Sequence, residues 1–164
     1  MLYLLDANVL IDASRDYYPL RRVPEFWDWL IDRATQGRVK IPLEIFEEVL
    51  AGRDDDLTRW MNDNRDELLL DENAERTLVA RVTAQGYAPD LTEEEVERVG
   101  RDPFLIAYAL GDPEQRTVVT TEVSKPKKQR ANRHIPEVCD VLNVLHCNTY
   151  QFIEDLDFTT DRRR

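Results

Sequence analysis

The feature that most constrains this chain is an apolar run that delivers an acid to one point and then resumes: Tyr3-Leu4-Leu5-Asp6-Ala7-Asn8-Val9-Leu10-Ile11. A short uninterrupted apolar stretch suits a strand buried on both faces, the kind that parallel sheets are made of. Asp6 then stands at the carboxyl edge of that strand, with a helix starting near Asn8. In open α/β sheets ligands bind at that edge. Asp is also a favoured helix cap, so Asp6 taken alone is either a cap or a site residue.

The rest of the chain repeats the pattern. Helices are predicted over 8–14, 24–34, 43–50, 54–64, 72–85, 92–99, 101–110, 135–142 and 149–156, and short strands over 38–42, 68–70, 117–121 and 144–147. The aromatic group Phe26, Trp27 and Trp29 reads as core packing. Asp54, Asp55 and Asp56 read as caps, and Glu93, Glu94, Glu95 and Glu97 as a solvated helix face. Gly86 is expected to end one helix and Gly100 another, while an acid at the cap and Pro103 at the first position open the helix after it. Strands alternating with helices throughout predict an α/β fold with a mainly parallel sheet covered on both faces. With 164 residues the expectation is a single domain over 1–156, followed by a frayed tail over 157–164.

Composition narrows the setting. Charged residues are 34% and hydrophobic ones 42%, as in a globular protein, and no stretch approaches the roughly 20 apolar residues of a membrane span. No signal-peptide pattern follows Met1, so a cytoplasmic location and no membrane partner are expected. Cys139 and Cys147 lack metal or disulfide spacing and read as core or part-buried thiols. The net charge is −11, from 33 acids against 22 Lys and Arg. Such a surface repels nucleic acid, so an RNA or DNA role needs a local basic patch or bound metal ions.

Three acids fall where an α/β fold exposes side chains at one edge: Asp6 after a strand, Asp102 at a helix start and Glu122 after a strand. Glu48 joins them if its helix turns that face inward, and Glu47 competes for the place. Carboxylates gathered this way repel one another unless a cation holds them. All-oxygen ligation suits Mg²⁺ or Mn²⁺, ions that activate a water and stabilise charge on a phosphodiester. The segment from Lys125 to His134, with Lys125, Lys127, Lys128, Arg130 and Arg133, carries no acid. It reads either as a patch for RNA phosphates or as a solvated loop, and it has no aromatic residue for base stacking. His134 and His146 read as structural or exposed.

The order Leu4-Leu5-Asp6-Ala7-Asn8-Val9-Leu10-Ile11, then Glu48-Val49 with Gly52, then Asp102-Pro103-Phe104-Leu105-Ile106-Ala107-Tyr108-Ala109, then Val119-Thr120-Thr121-Glu122, resembles the PIN-domain nucleases. Within them it is similar to the VapC-type toxins, and to a PIN subgroup with a Trp-rich insert and an Ile-Pro-x-Val-Cys segment, here Phe26-Trp27-Asp28-Trp29 and Ile135-Pro136-Glu137-Val138-Cys139. The resemblance implies a three-layer α/β/α fold and metal-dependent endoribonuclease activity. Carried over by position, it implies Asp6, Asp102 and Glu122 as metal-binding acids, Glu48 as a fourth member, and Asn8 and Thr120 as shaping the site. It further implies an RNA substrate, a cognate antitoxin and a homodimer. Ala7 stands where many relatives have Thr or Ser, and Glu122 where Asp is common.

Other readings are a silent PIN-fold module that binds RNA or protein, and a nuclease for RNA processing. A phosphoacceptor receiver domain, suggested by Thr120 and Lys125-Pro126, fails because only Asp6 follows the first strand. A haloacid-dehalogenase phosphatase would need a second Asp at Asn8.

Overall fold

The computed structural model describes residues 1–51 and 55–160; Gly52 and Asp54, predicted as a turn and a cap, lie outside the described residues, as does the end of the predicted tail, 161–164. The described residues hold four strands, β1 (Leu2–Leu5), β2 (Val39–Lys40), β3 (Arg116–Val119) and β4 (Leu145–Cys147). They form one sheet in the order β2-β1-β3-β4, every pairing parallel. Leu4 and Leu5 are fully buried, because strands at the centre of a parallel sheet are covered on both faces.

From β1 the chain crosses to β2 on one side, and from β2 it crosses back past β1 to β3. Right-handed crossovers in opposite directions put their helices on opposite faces, which gives the three-layer α/β/α arrangement. On one face lie α2 (Pro24–Thr35) and α10 (Thr149–Asp155), joined by Trp29 and Phe152, whose ring centroids are 5.5 Å apart. Phe26 stacks on Tyr18 at 4.3 Å, and Phe26 and Trp27 are buried, as expected of core aromatics. The other face carries α8 (Asp102–Leu110), which is apolar almost all round and packs on β1 and β3, with α9 (Ile135–Leu142) beside it.

The remaining helices are α1 (Ala7–Asp12), α3 (Leu43–Leu50), α4 (Asp56–Asp63), α5 (Arg65–Leu68), α6 (Arg76–Arg81) and α7 (Glu93–Val99). Asp55 caps α4 through a reciprocal box with Thr58, and Thr92 caps α7 through one with Glu95. Among the described residues no helix is long and apolar enough to cross a membrane.

Four expectations need correction. Residues 68–70 are not a strand: Leu68 ends α5 and Leu69 makes one isolated bridge to Ile41, because β2 is only two residues long and Pro42 turns the chain into α3. The helix expected over 72–85 begins only at Arg76 and widens into a π-turn, Val82–Tyr87. Gly86 therefore ends nothing; it lies within that turn, where a Cβ would run into the Val138 methyl on α9. Gly100, by contrast, does end α7, at φ +60°. The tail is not frayed at its start: the Phe158 amide donates to the Ile153 carbonyl at 2.9 Å, and its ring meets Tyr18, Phe26 and Trp29.

Candidate functional site

β1 and β3 are neighbours, yet the chain leaves them in opposite directions, toward β2 and β4. That divergence opens a crevice at their carboxyl ends. Asp6 and Thr120 stand on its two sides. Asp6 occupies the cap position of α1 without making a side-chain cap bond, and instead its Oδ2 accepts the Thr120 hydroxyl at 2.9 Å. Both are buried, at 4% and 1% exposure, so the bond is shielded from water. The same hydroxyl oxygen accepts the Glu122 amide at 3.1 Å. The Asp6 carboxylate thus faces Thr120 across the crevice instead of capping α1.

Asp102 is the first residue of α8, with Arg101 in the cap position and Pro103 second, one step later than the sequence suggested. Its Oδ2 receives only a long contact, 3.5 Å, from the Tyr87 hydroxyl in the π-turn. Burial raises its pKa well above the usual range, reinforced by the charges of Asp6, Glu122 and Glu48, with the Tyr87 bond opposing. Asp6 is raised to about 6, by burial first; the Thr120 bond pulls it down, and the charges of Glu122 and Glu48 push it up again. Burial also raises Glu48, against the Arg101 guanidinium. The charges of Glu48 and Glu122 therefore act on Asp6, and those of all three on Asp102, at one edge.

Between the two candidates on α3, Glu48 is the one whose charge reaches Asp6 and Asp102. Glu47 pairs with Arg101 at 3.1 Å. The Glu122 carboxylate is part-committed: its Oε2 accepts the Ile135 amide at 2.7 Å, the first of α9. Asn8 is exposed at the head of α1.

The basic segment divides. Lys125, Lys127 and Lys128 are exposed. Arg130 is held at 2.7 Å by both Asp90 and Glu95, so Glu95 does not belong to a solvated face as expected. Arg133 donates to the Gly86 carbonyl at 2.6 Å. Glu137, buried at 8% exposure, accepts Ser124 Oγ and the Lys125 amide and so pins the start of the segment to α9. His134 contacts the Val123 carbonyl and His146 pairs with Asp140, structural roles as anticipated. Cys139 is buried and Cys147 part-buried, both free thiols.

As the side chains stand, no group of three or more His, Cys, Asp and Glu among the described residues could hold a metal ion. The donor chemistry nonetheless fits a hard divalent cation: the donors are carboxylates and a hydroxyl, and the raised Asp6 and Asp102 are what a positive charge would bring down. Sequence reading missed Tyr87, whose hydroxyl faces Asp102, and Arg101, which pairs with Glu47 and whose charge lowers Glu48; neither carries a local signal.

No curated protein matches the chain. The family model described as Domain of unknown function (DUF4411) matches residues 3–160, from the first strand to beyond the last helix, and the chain belongs to that family.

Proposed function

We propose that this chain is a PIN-like endoribonuclease, dependent on Mg²⁺ or Mn²⁺, that hydrolyses RNA phosphodiester bonds in the cytoplasm as the toxin of a toxin–antitoxin pair. The observation that carries the reading is the pair of buried acids at the sheet's switch point, Asp6 and Asp102, on both of which the charges of Glu48 and Glu122 bear. Proteins seldom retain such an arrangement for stability alone. The motif order that resembles PIN nucleases supports the same conclusion.

Asp6, Asp102 and Glu122 would hold the cation, with Glu48 as the fourth acid, and the cation would supply Lewis-acid stabilisation to the phosphodiester. The chain's own groups do the rest. Thr120 fixes the Asp6 carboxylate, and Tyr87 reaches Asp102. Glu48, raised by burial, is suited to accept a proton from an attacking water. Lys125, Lys127 and Lys128 offer cations to the RNA backbone.

A second reading, a module that binds RNA or a protein without cutting, is favoured by the Glu122 bond to the Ile135 amide, which turns one carboxylate oxygen away from the group. One experiment separates the two: labelled single-stranded RNA incubated with wild type, Asp6→Asn and Asp102→Asn in Mg²⁺, Mn²⁺ or EDTA, with folding checked by circular dichroism. The nuclease reading expects metal-dependent cleavage that falls at least about a hundredfold in both variants. Equal cleavage by all three proteins would sink it, and binding without cleavage would leave the second reading standing. For the toxin role, induction should arrest growth, and a co-expressed antitoxin should relieve it.

A further inference from the structure

Beside Glu122 lies a cavity of about 690 Å³, bordered by the end of β3, a second π-turn, Ala13–Tyr17, that follows α1, and the first turn of α10. Thr120 and Glu122 line both, so the cavity is continuous with the acidic edge. Its volume falls within the range of small-ligand sites. Two tyrosines from different elements border it, Tyr17 at 61% exposure and Tyr150 at 71%. They are the two exposed aromatic rings of the chain, the others being buried or half-buried.

Tyr18 also lines the cavity, and it is backed by the Phe26 ring stacked at 4.3 Å. Ser124 is at the lip, and the exposed Lys125, Lys127 and Lys128 follow it in the chain. Among the described residues no ion pair engages those lysines. The cavity thus carries a carboxylate and two open aromatic rings, and exposed cations follow its lip in the chain.

We propose that this cavity is a base-stacking subsite, in which Tyr17 and Tyr150 take unpaired bases of a single-stranded RNA whose backbone runs over the lysines toward the acidic edge. The inference rests on the ribonuclease reading and deepens it by specifying which part of the chain selects unpaired RNA. The basic segment itself lacks aromatic residues; the stacking surface comes instead from two stretches more than a hundred residues apart, brought together by the fold. A duplex, whose bases are already stacked, presents no free face to either ring.

The test uses the full chain carrying Asp6→Asn, so that bound RNA is not consumed, and a fluorescent unstructured RNA of about eight nucleotides, enough to span a site of this kind. Anisotropy titrations are run for this protein and for Tyr17→Ala, Tyr150→Ala, the double variant, and Tyr17→Phe with Tyr150→Phe. Each Ala change is expected to weaken binding at least about fivefold and the pair more, while the Phe pair stays within about twofold, since stacking needs the ring and not the hydroxyl. Duplex RNA of the same sequence should compete poorly. Unchanged affinity in the Ala variants, or equal competition by duplex, overturns the subsite. If the wild type cleaves RNA and the Ala variants bind it normally, only the subsite falls; if the protein neither binds nor cuts RNA, the ribonuclease reading falls with it.

Discussion

Two regions of this molecule are assembled from distant parts of the chain, and they are held in opposite ways. On one face of the sheet Tyr18, Phe26, Trp29, Phe152 and Phe158 close on one another with centroid separations of 4.3 to 5.7 Å. Each ring gains from the others' presence. At the carboxyl edge, Glu48 and Glu122 raise the free energy of the charged Asp6, and with Asp6 they raise that of Asp102. The aromatic layer stabilises the fold and the acidic edge draws on that stability. A chain can sustain such an edge only where the surrounding packing over-determines it.

The largest effect that would break this contrast comes from the aromatic side. Phe26→Ala removes a fully buried ring touching Tyr18, Trp27, Trp29 and Phe158, and is expected to cost about 3–5 kcal/mol by urea denaturation. A smaller loss would mean that the layer collapses to fill the gap.

Asp6→Asn should act the other way. An acid with a folded pKa above its unfolded one binds more protons in the fold, so it lowers stability as pH rises. For Asp6 the penalty is absent below its ordinary 3.8, grows through the interval and is complete above about 6, where it amounts to as much as about 3 kcal/mol. The Asn variant should be more stable than wild type at pH 7.5 and should level off toward it at pH 4. Denaturation at the two pH values measures the difference, and a variant less stable at both would remove the claim of repulsion. Mg²⁺ or Mn²⁺ should raise the wild-type midpoint and leave the variant's nearly unmoved.

The smallest effect sharpens the comparison within the acidic edge. Tyr87→Phe deletes the hydroxyl facing Asp102, a long bond, and is expected to cost roughly 0.5–1.5 kcal/mol while moving Asp102 titration further up. Carboxyl NMR shifts would follow the titration. A downward move would contradict the direction of that bond.

How far these two regions were legible in the sequence follows from the kind of signal each leaves. The helices Leu43–Leu50 and Ile135–Leu142 were read to the residue, because apolar periodicity and a flanking proline mark them locally. Asp6, Asp102 and Glu122 were legible as a group because each ends or begins an element, and a parallel sheet gathers such ends. Partners chosen across the fold left no trace. Arg130 was read with the free lysines, although it belongs to Asp90 and Glu95, which precede it by 40 and 35 residues. Phe158 follows the last helix and looks like tail until Tyr18 and Phe26 are seen beneath it. Leu68 to Leu70 is an apolar run, weak as a strand by composition, and it meets a neighbour too short to support a ladder.

The grip of the Glu122 carboxylate on the first amide of α9 has one consequence beyond holding a turn together. Anything that draws that carboxylate away, such as a bound cation, bares the Ile135 hydrogen to solvent. Deuterium uptake at that single position is then a gauge of occupancy at the crevice, readable without a substrate, a product or a guess at either.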